Sequence, residues 1–355
     1  MARMGFPNST WQGKALVIVL ACLLCWRGWG QSLPVVSPAR ADHHAHLFSP
    51  AAIQFLAQSQ RSRGPEGAPS FHVQTAADLV ALLDSAHIQK AVALSFAYIF
   101  AAPGNPGEEY NLVTAENDWT AQQVALYPAR LVGFCGINPM RDYSVREIQR
   151  CKEIGLRGLK LHFSNLNTDI DLGNAQHLKQ LKVLFAAANQ ARFPIIVHLR
   201  PQIGREYGAV EARAFIESVL PAAHDVPVQI AHMAGYGGYD RVTDEALGAF
   251  VQALRSGQIK RQNLYFDLSG VLVSRAPNEA SPGMRRLADQ QQKDFPEWQS
   301  HLESRIREVG IDRVLFGSSW PDTSPAAYEF LVQEQLKLSP KELRRLLRNV
   351  APYFK

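Results

Sequence analysis

Residues 41–46 read Ala-Asp-His-His-Ala-His and open the first buried strand that the sequence predicts. Alternate side chains of a strand share a face, so His44 and His46 point to one side with Asp42, while His43 points to the other. Neutral imidazole is a common ligand of Zn²⁺ and similar ions, and two imidazoles at the end of a strand form half of a metal site. The remaining ligands must come from other parts of the chain.

Short apolar runs alternate with longer amphipathic segments from residue 41 onward. We predict strands at 41–47, 91–99, 131–138, 158–163, 194–199, 226–232, 263–271 and 313–317, and helices at 76–87, 110–127, 144–154, 175–191, 210–220 and 298–309. Eight strand–helix units favour a closed parallel barrel, the α/β (β/α)₈ or TIM-barrel fold, as one domain over residues 41–355. An open doubly wound sheet is disfavoured because no glycine-rich dinucleotide turn follows the first strand.

The long polar loops indicate which end of the barrel is functional. They cover 49–74, 102–109, 201–208 and 275–296, and each follows a strand. Such loops collect at the carboxyl ends of the strands, where these barrels keep their active sites. The segment 276–296 is either a lid or an unrelated surface excursion. Further on, Ser339, Pro340 and Glu342 predict a cleanly capped C-terminal helix.

Two more histidines end predicted strands. His198 closes the apolar run 194–198, and His232 closes 228–232. Each alone is more often a satisfied structural residue than a ligand. Independent structural histidines have no reason to converge, so histidines at the ends of strands one, five and six together predict a metal site.

The N-terminal 30 residues are set apart from the rest by charge and hydropathy. The chain has a formal charge of +5, of which Arg3, Lys14 and Arg27 supply three with no acid beside them. The remaining near-neutral chain gives no case for nucleic-acid binding. An apolar run from Ala15 to Cys25 followed by small residues predicts a signal peptide over 1–30, and so an exported, periplasmic or extracellular protein. The alternatives are an uncleaved N-terminal membrane anchor and lipidation of Cys22.

Cysteine usage excludes a disulfide scaffold. Cys22 and Cys25 lie in the signal segment, so Cys135 and Cys151 are the cysteines left in the predicted barrel. They are either two buried thiols or, in an oxidising compartment, one bridge.

Several motifs in order resemble the amidohydrolase-related family of the amidohydrolase superfamily. They are Asp42 with His44-Ala45-His46, Gly158–His162, Pro194–His198, Ile230–His232, Asp267–Gly270, Phe316–Pro321 and Arg348–Phe354. The resemblance covers essentially all of 41–355. It implies metal-dependent hydrolysis of C–N or C–O bonds, with some relatives acting as decarboxylases on hydroxylated aromatic or muconic acids. It also implies that His44, His46 and His198 bind one divalent ion, with Zn²⁺ expected, and that His232 orients or polarises the bound water or substrate carbonyl.

One position departs from the family pattern. Where the family's strand-eight motif carries an aspartate that contacts the metal and takes the proton from water, this chain has Ser319. Loss of a positioned general base costs about 10²–10⁴ in rate. Asp267, which shares a strand face with Ser269, is the catalytic replacement we predict, with a structural hydrogen-bonding role as its alternative. Asp322, just past Pro321, is the other candidate carboxylate, with a cap for the following helix as the favoured alternative.

The remaining candidates would bind substrate. Lys160 and His162 share a face of strand four, where the lysine is either an anion contact or part of a buried ion pair. Arg200 and Arg205 follow strand five and would suit a carboxylate, or are solvated loop residues. Ser319 and Trp320 complete the predicted set, and aromatic residues after strands two, six and eight are expected to line an apolar pocket: Tyr98, Phe100, Tyr236, Tyr239 and Trp320.

Three functions remain open. The first is an exported metal-dependent hydrolase of a small carboxylated or aromatic ester, lactone or amide, in a chain that could form homo-oligomers. The second is a metal-dependent decarboxylase of an aromatic or muconic acid. The third is a barrel that has lost catalysis and serves as a binding protein, which Ser319 keeps open.

Overall fold

The computed structural model describes residues 37–61, 72–101, 106–164, 170–201, 206–235, 237–259, 263–274 and 282–354, apart from the side chains of 59–61, 106 and 282–284. The predicted signal segment lies outside these residues. Within them, no helix is both long enough and apolar enough to cross a bilayer.

Eight parallel strands pair in sequence order, β1 with β2 and so on to β8. The strands are β1 (Ala41–Leu47), β2 (Lys90–Ser95), β3 (Leu131–Gly136), β4 (Gly158–His162), β5 (Ile195–His198), β6 (Val228–Ile230), β7 (Leu264–Asp267) and β8 (Val314–Leu315). Helices alternate with the strands, so the predicted (β/α)₈ barrel is confirmed. The strands are buried almost throughout, which is why they read in sequence as continuous apolar runs.

The barrel closes between its first and last strands through a few backbone contacts. His43 N donates to Phe316 O over 2.9 Å, and Ser319 N donates to His44 O over 2.8 Å. Gly317 permits this approach, because a Cβ at that position would lie 2.9 Å from the Cβ of His44. The closing seam therefore contains residues of the predicted site.

The helices are α1 (Pro50–Arg61), α2 (Ala76–Ser85), α3 (Pro106–Ala125), α4 (Ser144–Glu153), α5 (Ala175–Gln190), α6 (Ala209–Ser218), α7 (Arg241–Arg255), α8 (Pro282–Asp294), α9 (Trp298–Val309), α10 (Pro325–Gln335) and α11 (Pro340–Arg348). The capping box at the start of α11 is confirmed, with Ser339 and Glu342 each bonding the other's backbone N–H. The expected loop 49–74 was wrong in its first half, because α1 begins at Pro50 with Ser49 Oγ accepting from Ala52 N. Most of the expected lid segment 276–296 forms α8.

The C-terminal residues fill the inside of the barrel. Tyr353 and Phe354 pack in one apolar cluster with Val92, Phe134 and Ile196 from three different strands. Cys135 of β3 and Cys151 of α4 form a disulfide, which resolves the two alternatives for these cysteines.

Candidate active site

Histidine rings from four strand ends form one continuous cluster at the mouth of the barrel. The ring centroids of His44 and His46 are 5.1 Å apart, and those of His44 and His232 are 4.8 Å apart. His198 lies 4.9 Å from His232 and stacks on His162 at 4.0 Å. The convergence predicted from the strand ends is therefore present. We call these five residues the histidine cluster.

The two faces of β1 have separate tasks. His44 and His46 point into the cluster, with their Nε2 atoms 3.2 Å apart. His43 points the other way, where its Nδ1 donates to Phe316 O over 2.8 Å and its Nε2 accepts from Ala351 N over 3.1 Å. The strand alternation predicted this opposite direction, and the structure shows that both nitrogens of His43 are committed to structural hydrogen bonds.

Asp267 lies beneath the cluster, and both oxygens of its carboxylate accept hydrogen bonds. Its Oδ2 accepts from Gln229 Nε2 over 2.6 Å and from His44 Nδ1 over 3.1 Å. Its Oδ1 accepts from the backbone N–H groups of His232 and Ser269, each over 3.0 Å, and from the Ser269 hydroxyl. Burial alone would raise the pKa of Asp267, but neighbouring His44 and these hydrogen bonds outweigh it and hold the pKa well below its usual range. Asp267 is therefore ionised, and its contacts favour a role in holding the ring of His44. The predicted catalytic role of Asp267 stays a prediction.

His232 follows β6 on a strained turn. The strand ends at Ile230, two residues earlier than expected, and His232, Met233 and Ala234 all have left-handed backbone, with φ of 56°, 50° and 69°. Such conformations are costly for residues other than glycine, and they concentrate at functional sites. The turn places His232 Nδ1 2.6 Å from Ser269 O, so Nδ1 carries the proton and Nε2 keeps its lone pair.

The cluster is electrically neutral near pH 7. Burial lowers the pKa of His44 to about 4 and that of His232 to about 3. Burial likewise lowers the pKa values of His46, His162 and His198 well below the usual value. Neutral imidazoles present lone pairs, which are what a metal ion requires.

Lys160 is fully buried beside the cluster. Its Nζ lies 3.1 Å from Nε2 of His44, and loss of solvent lowers its pKa to about 7. The Lys160 amine is thus placed next to the lone pair of His44.

These residues fit a divalent ion. His44 and His46 direct their Nε2 atoms to one point, and Asp267 holds the Nδ1 proton of His44 so that its Nε2 lone pair faces outward, as in the carboxylate–histidine–metal arrangement. His44, His232 and Asp267 also place one ligand atom each within 4.8 Å of one another. His198 joins the cluster through its contacts with His162 and His232, and the ligand set His44, His46 and His198 stays a prediction.

Ser319 and Trp320 lie at the seam beside β1. Trp320 O accepts from His46 N over 2.7 Å, and Ser319 is buried with a left-handed φ of 61°. The Ser319 hydroxyl donates to Asp322 Oδ2 over 3.3 Å, while Asp322 itself is exposed. The strand-eight position therefore carries a hydroxyl that is bonded to a carboxylate three residues further along the chain.

His162 lies in an aromatic stack. Its ring is parallel to that of Tyr98 at 4.9 Å on one side and to His198 on the other. Phe48 and Phe96 pack beside His46, with their ring centroids 4.3 Å apart. These aromatic side chains make this side of the mouth largely apolar.

Arg200 is held by protein groups. It forms an ion pair with Asp240 at 2.9 Å and also donates to the Thr243 hydroxyl over 3.1 Å. Asp240 in turn caps α7 by accepting from Thr243 N. These contacts favour the structural alternative for Arg200, whereas Arg205 and Tyr236 lie outside the described residues.

Four residues of the site were not predicted. Asp42 accepts from the backbone of His44 and of Ser318, and Ser269 Oγ lies within 3.0 Å of Nδ1 of both His44 and His232. Gln229 is the one polar side chain within the apolar run of β6, and that exception was the available signal. Tyr353 gave no such signal, because its contact with Gln229 spans 124 residues of sequence.

Comparisons with known proteins agree with this architecture. A family model described as Amidohydrolase matches residues 41–351. The chain is 24% identical over 215 residues to a gamma-resorcylate decarboxylase of Polaromonas sp., a match that covers 58% of this chain. The chain spans 64% of that relative's length, slightly under two thirds.

Solved structures share the fold at low identity. One is 2,6-dihydroxybenzoate decarboxylase in complex with 2,6-dihydroxybenzoate, with a TM-score of 0.57, 16% identity, and coverage of 88% of this chain and 97% of that one. Another is a dihydroxybenzoic acid decarboxylase from Polaromonas sp. with bound manganese and 2-nitroresorcinol, with a TM-score of 0.56, 18% identity, and coverage of 88% and 95%. A third is 5-carboxyvanillate decarboxylase from Novosphingobium aromaticivorans with bound manganese, with a TM-score of 0.58, 16% identity, and coverage of 90% and 98%.

Proposed function

This chain belongs to the amidohydrolase family, and from that premise we propose that it is a metal-dependent decarboxylase of a hydroxylated aromatic carboxylic acid. The relatives that carry such names support the decarboxylase alternative over the hydrolase expected first. Manganese in two of the related structures makes Mn²⁺ the first ion to test, with Zn²⁺ second.

The main support for this proposal is that the carboxylate of Asp267, which contacts the described histidine cluster, is not placed as a free general base. Hydrolysis needs a base that removes a proton from water, whereas decarboxylation needs a site that binds an anionic substrate and a donor that protonates the ring carbon. Both carboxylate oxygens of Asp267 already accept hydrogen bonds, from five donors in total. At the strand-eight position, Ser319 replaces the aspartate that would serve as the base. The mouth instead presents neutral imidazoles and the Lys160 amine. These groups suit an anionic substrate that is bound through a metal cation.

Each residue then has a definite task in the reaction. Decarboxylation breaks the bond between the ring and the carboxyl carbon, releases CO₂ and places a proton on the ring carbon. His44 and His46 would hold a divalent ion, which would supply Lewis acidity for binding the acidic substrate. The aromatic side chains beside the cluster line the space for the substrate ring, and Lys160, whose pKa is lowered to about 7 by desolvation, holds and releases the proton. His232 stays neutral and orients the substrate through Nε2.

The cellular setting is part of the proposal. We propose that the protein is exported, since a disulfide between Cys135 and Cys151 is typical of oxidising compartments. Its partner is a small aromatic acid, and assembly into a homo-oligomer remains a prediction that sedimentation would test.

The test is CO₂ release from 2,6-dihydroxybenzoate and a panel of hydroxybenzoates, with protein loaded with Mn²⁺ or Zn²⁺. Lys160→Met should lower kcat by about 10²-fold or more. It should leave the bound metal in place. Lys152→Met, which removes a lysine whose amine donates to the backbone carbonyl of Ala191, should act as wild type. A metal-loaded wild type that releases no CO₂ from any member of the panel would refute the decarboxylase.

Hydrolysis is the second candidate because Ser319 Oγ reaches the Asp322 carboxylate. Metal-loaded protein should therefore also be offered aryl esters and lactones beside an Asp322→Asn variant. Ester turnover that falls by about 10²-fold in the variant would establish the hydrolase instead. Ligand binding without turnover in either assay would leave the barrel as a binding protein.

A further inference from the structure

A line of polar groups crosses the apolar barrel interior beneath the histidine cluster. The Tyr353 hydroxyl bonds Gln229 Oε1, Gln229 Nε2 donates to Asp267 Oδ2 over 2.6 Å, and the same oxygen accepts from His44 Nδ1 over 3.1 Å. Gln229, Asp267 and His44 are each 0% exposed, and Tyr353 is 7% exposed. We call these four residues the axial chain.

Chemistry fixes the direction of every bond in the axial chain. An ionised Asp267 only accepts, so both Gln229 and His44 must donate to it. Gln229 must therefore turn its NH₂ group to Asp267, an orientation that the second bond from Nε2 to His43 O at 3.2 Å also requires. Its Oε1 then faces Tyr353, whose hydroxyl donates. His44 is left with its proton on Nδ1 and its lone pair on Nε2.

Tyr353, the end of the axial chain farthest from His44, is held in place by packing. Tyr353 lies in the apolar cluster inside the barrel, with its ring 5.2 Å from that of Phe134. The same segment is fastened to β1, because Ala351 N donates to Nε2 of His43. The C-terminal segment therefore cannot shift without pulling on β1 or on Gln229.

We propose that the axial chain sets the tautomer and the orientation of His44, with Gln229 and Tyr353 as its positioning residues. Both lie below the reacting groups and reach the His44 ring through Asp267. A buried polar line of this kind is costly unless every member is satisfied, and the members here satisfy one another. This proposal rests on the proposed function only for the metal ion that His44 would bind. The tautomer of His44 is set by the protein and can be measured without metal.

The test reads the tautomer directly in the full-length protein without metal. Nitrogen-15 shifts of labelled histidine side chains, with the His44 signals identified by their loss in His44→Gln, should show a protonated Nδ1 and an unprotonated Nε2 in wild type. Gln229→Met removes the donor at nearly constant volume, and Tyr353→Phe removes only the hydroxyl. Both should shift the His44 signals towards a mixture of tautomers.

The second readout is affinity for Mn²⁺ and Zn²⁺ by titration. Gln229→Met should weaken binding by about 10–100-fold, the range found when groups that orient metal ligands are removed, and Tyr353→Phe should weaken it less. Tyr143→Phe is the matched control, because it deletes an equally buried hydroxyl that bonds Glu109 instead of the axial chain. It should leave both readouts unchanged.

Unchanged His44 signals in both Gln229→Met and Tyr353→Phe would overturn the axial chain, whatever the metal affinity. A wild type that binds neither ion would refute the proposed metal site, and the nitrogen shifts would still decide the tautomer. The failures of the two proposals are thus distinguishable.

Discussion

Acidification of the metal-free protein should destabilise it steeply between pH 7.5 and pH 5.5. Six buried histidines have lowered pKa values: His43, His44, His46, His162, His198 and His232. Each stays neutral in the folded protein but takes up a proton near pH 6.5 once unfolded. A base with a lowered folded pKa contributes stability that is fully present above its unfolded pKa and is lost as pH falls towards the folded pKa. The unfolded state therefore gains protons, and the free energy of unfolding must fall.

The magnitude follows from linkage. A histidine with an unfolded pKa of about 6.5 that stays neutral in the folded protein loses about 1.4 kcal/mol over these two pH units, so six lose about 8 kcal/mol. Two buried acids act in the opposite sense, because desolvation raises the pKa of Asp42 to about 6 and that of Glu116 to about 7. They offset about 3 kcal/mol. Lys160, whose pKa is lowered to about 7 by desolvation, adds about 1 kcal/mol to the loss, which leaves a net loss of about 6 kcal/mol. That is a large part of the stability of an ordinary domain.

Urea unfolding of the metal-free protein at the two pH values measures this loss. Saturating Mn²⁺ should restore part of it at pH 5.5, because a bound ion keeps its imidazole ligands unprotonated. A difference below about 2 kcal/mol would refute the reasoning, since it would mean that the buried rings carry protons or reach solvent in the folded protein.

Three further outcomes follow from local geometry, all measured as free energies of unfolding at pH 7.5. His87→Gly should stabilise by about 0.5 kcal/mol, because the exposed His87 has a left-handed φ of 58° just past the end of α2, where glycine is preferred; a loss of stability would contradict this. Replacing Cys135 and Cys151 together by alanine should cost about 3 kcal/mol, the value for a closed loop of this length, and a reducing agent should cost the wild type as much. Arg200→Met should cost about 2 kcal/mol or more by stranding Asp240, without raising KM for an aromatic acid; a raised KM at unchanged stability would return Arg200 to substrate binding.

The barrel could be predicted because its signals are local. Buried parallel strands produce continuous apolar runs, and crossing helices produce amphipathic ones, so each of the eight strands overlaps the segment predicted for it. Segments of polar composition were harder. Both α1 and α8 lie where loops were expected, since their polarity hides the helical period.

The site was predictable as far as strand ends allow. His198 ends its strand as expected. His232 lies beyond β6 on a left-handed turn, and the sequence gives no glycine at His232 or Met233 that would have predicted this turn. The pairing of Arg200 with Asp240 and the axial chain depend on contacts 40 or more residues apart, which no sequence window contains. Asp267 was found because period-two alternation turned it inward, but its hydrogen bonds come from separate elements.

The seam between β1 and β8 gives the site a place in the order of folding. His44 and Ser319 meet there across most of the length of the chain, and contacts so distant in sequence form late because a long loop must close first. Intermediates that have assembled only the middle strands can hold a partial sheet but not the two sides of this seam. Because His44 lies at this seam, the surroundings of the histidine cluster are complete only once the barrel has closed.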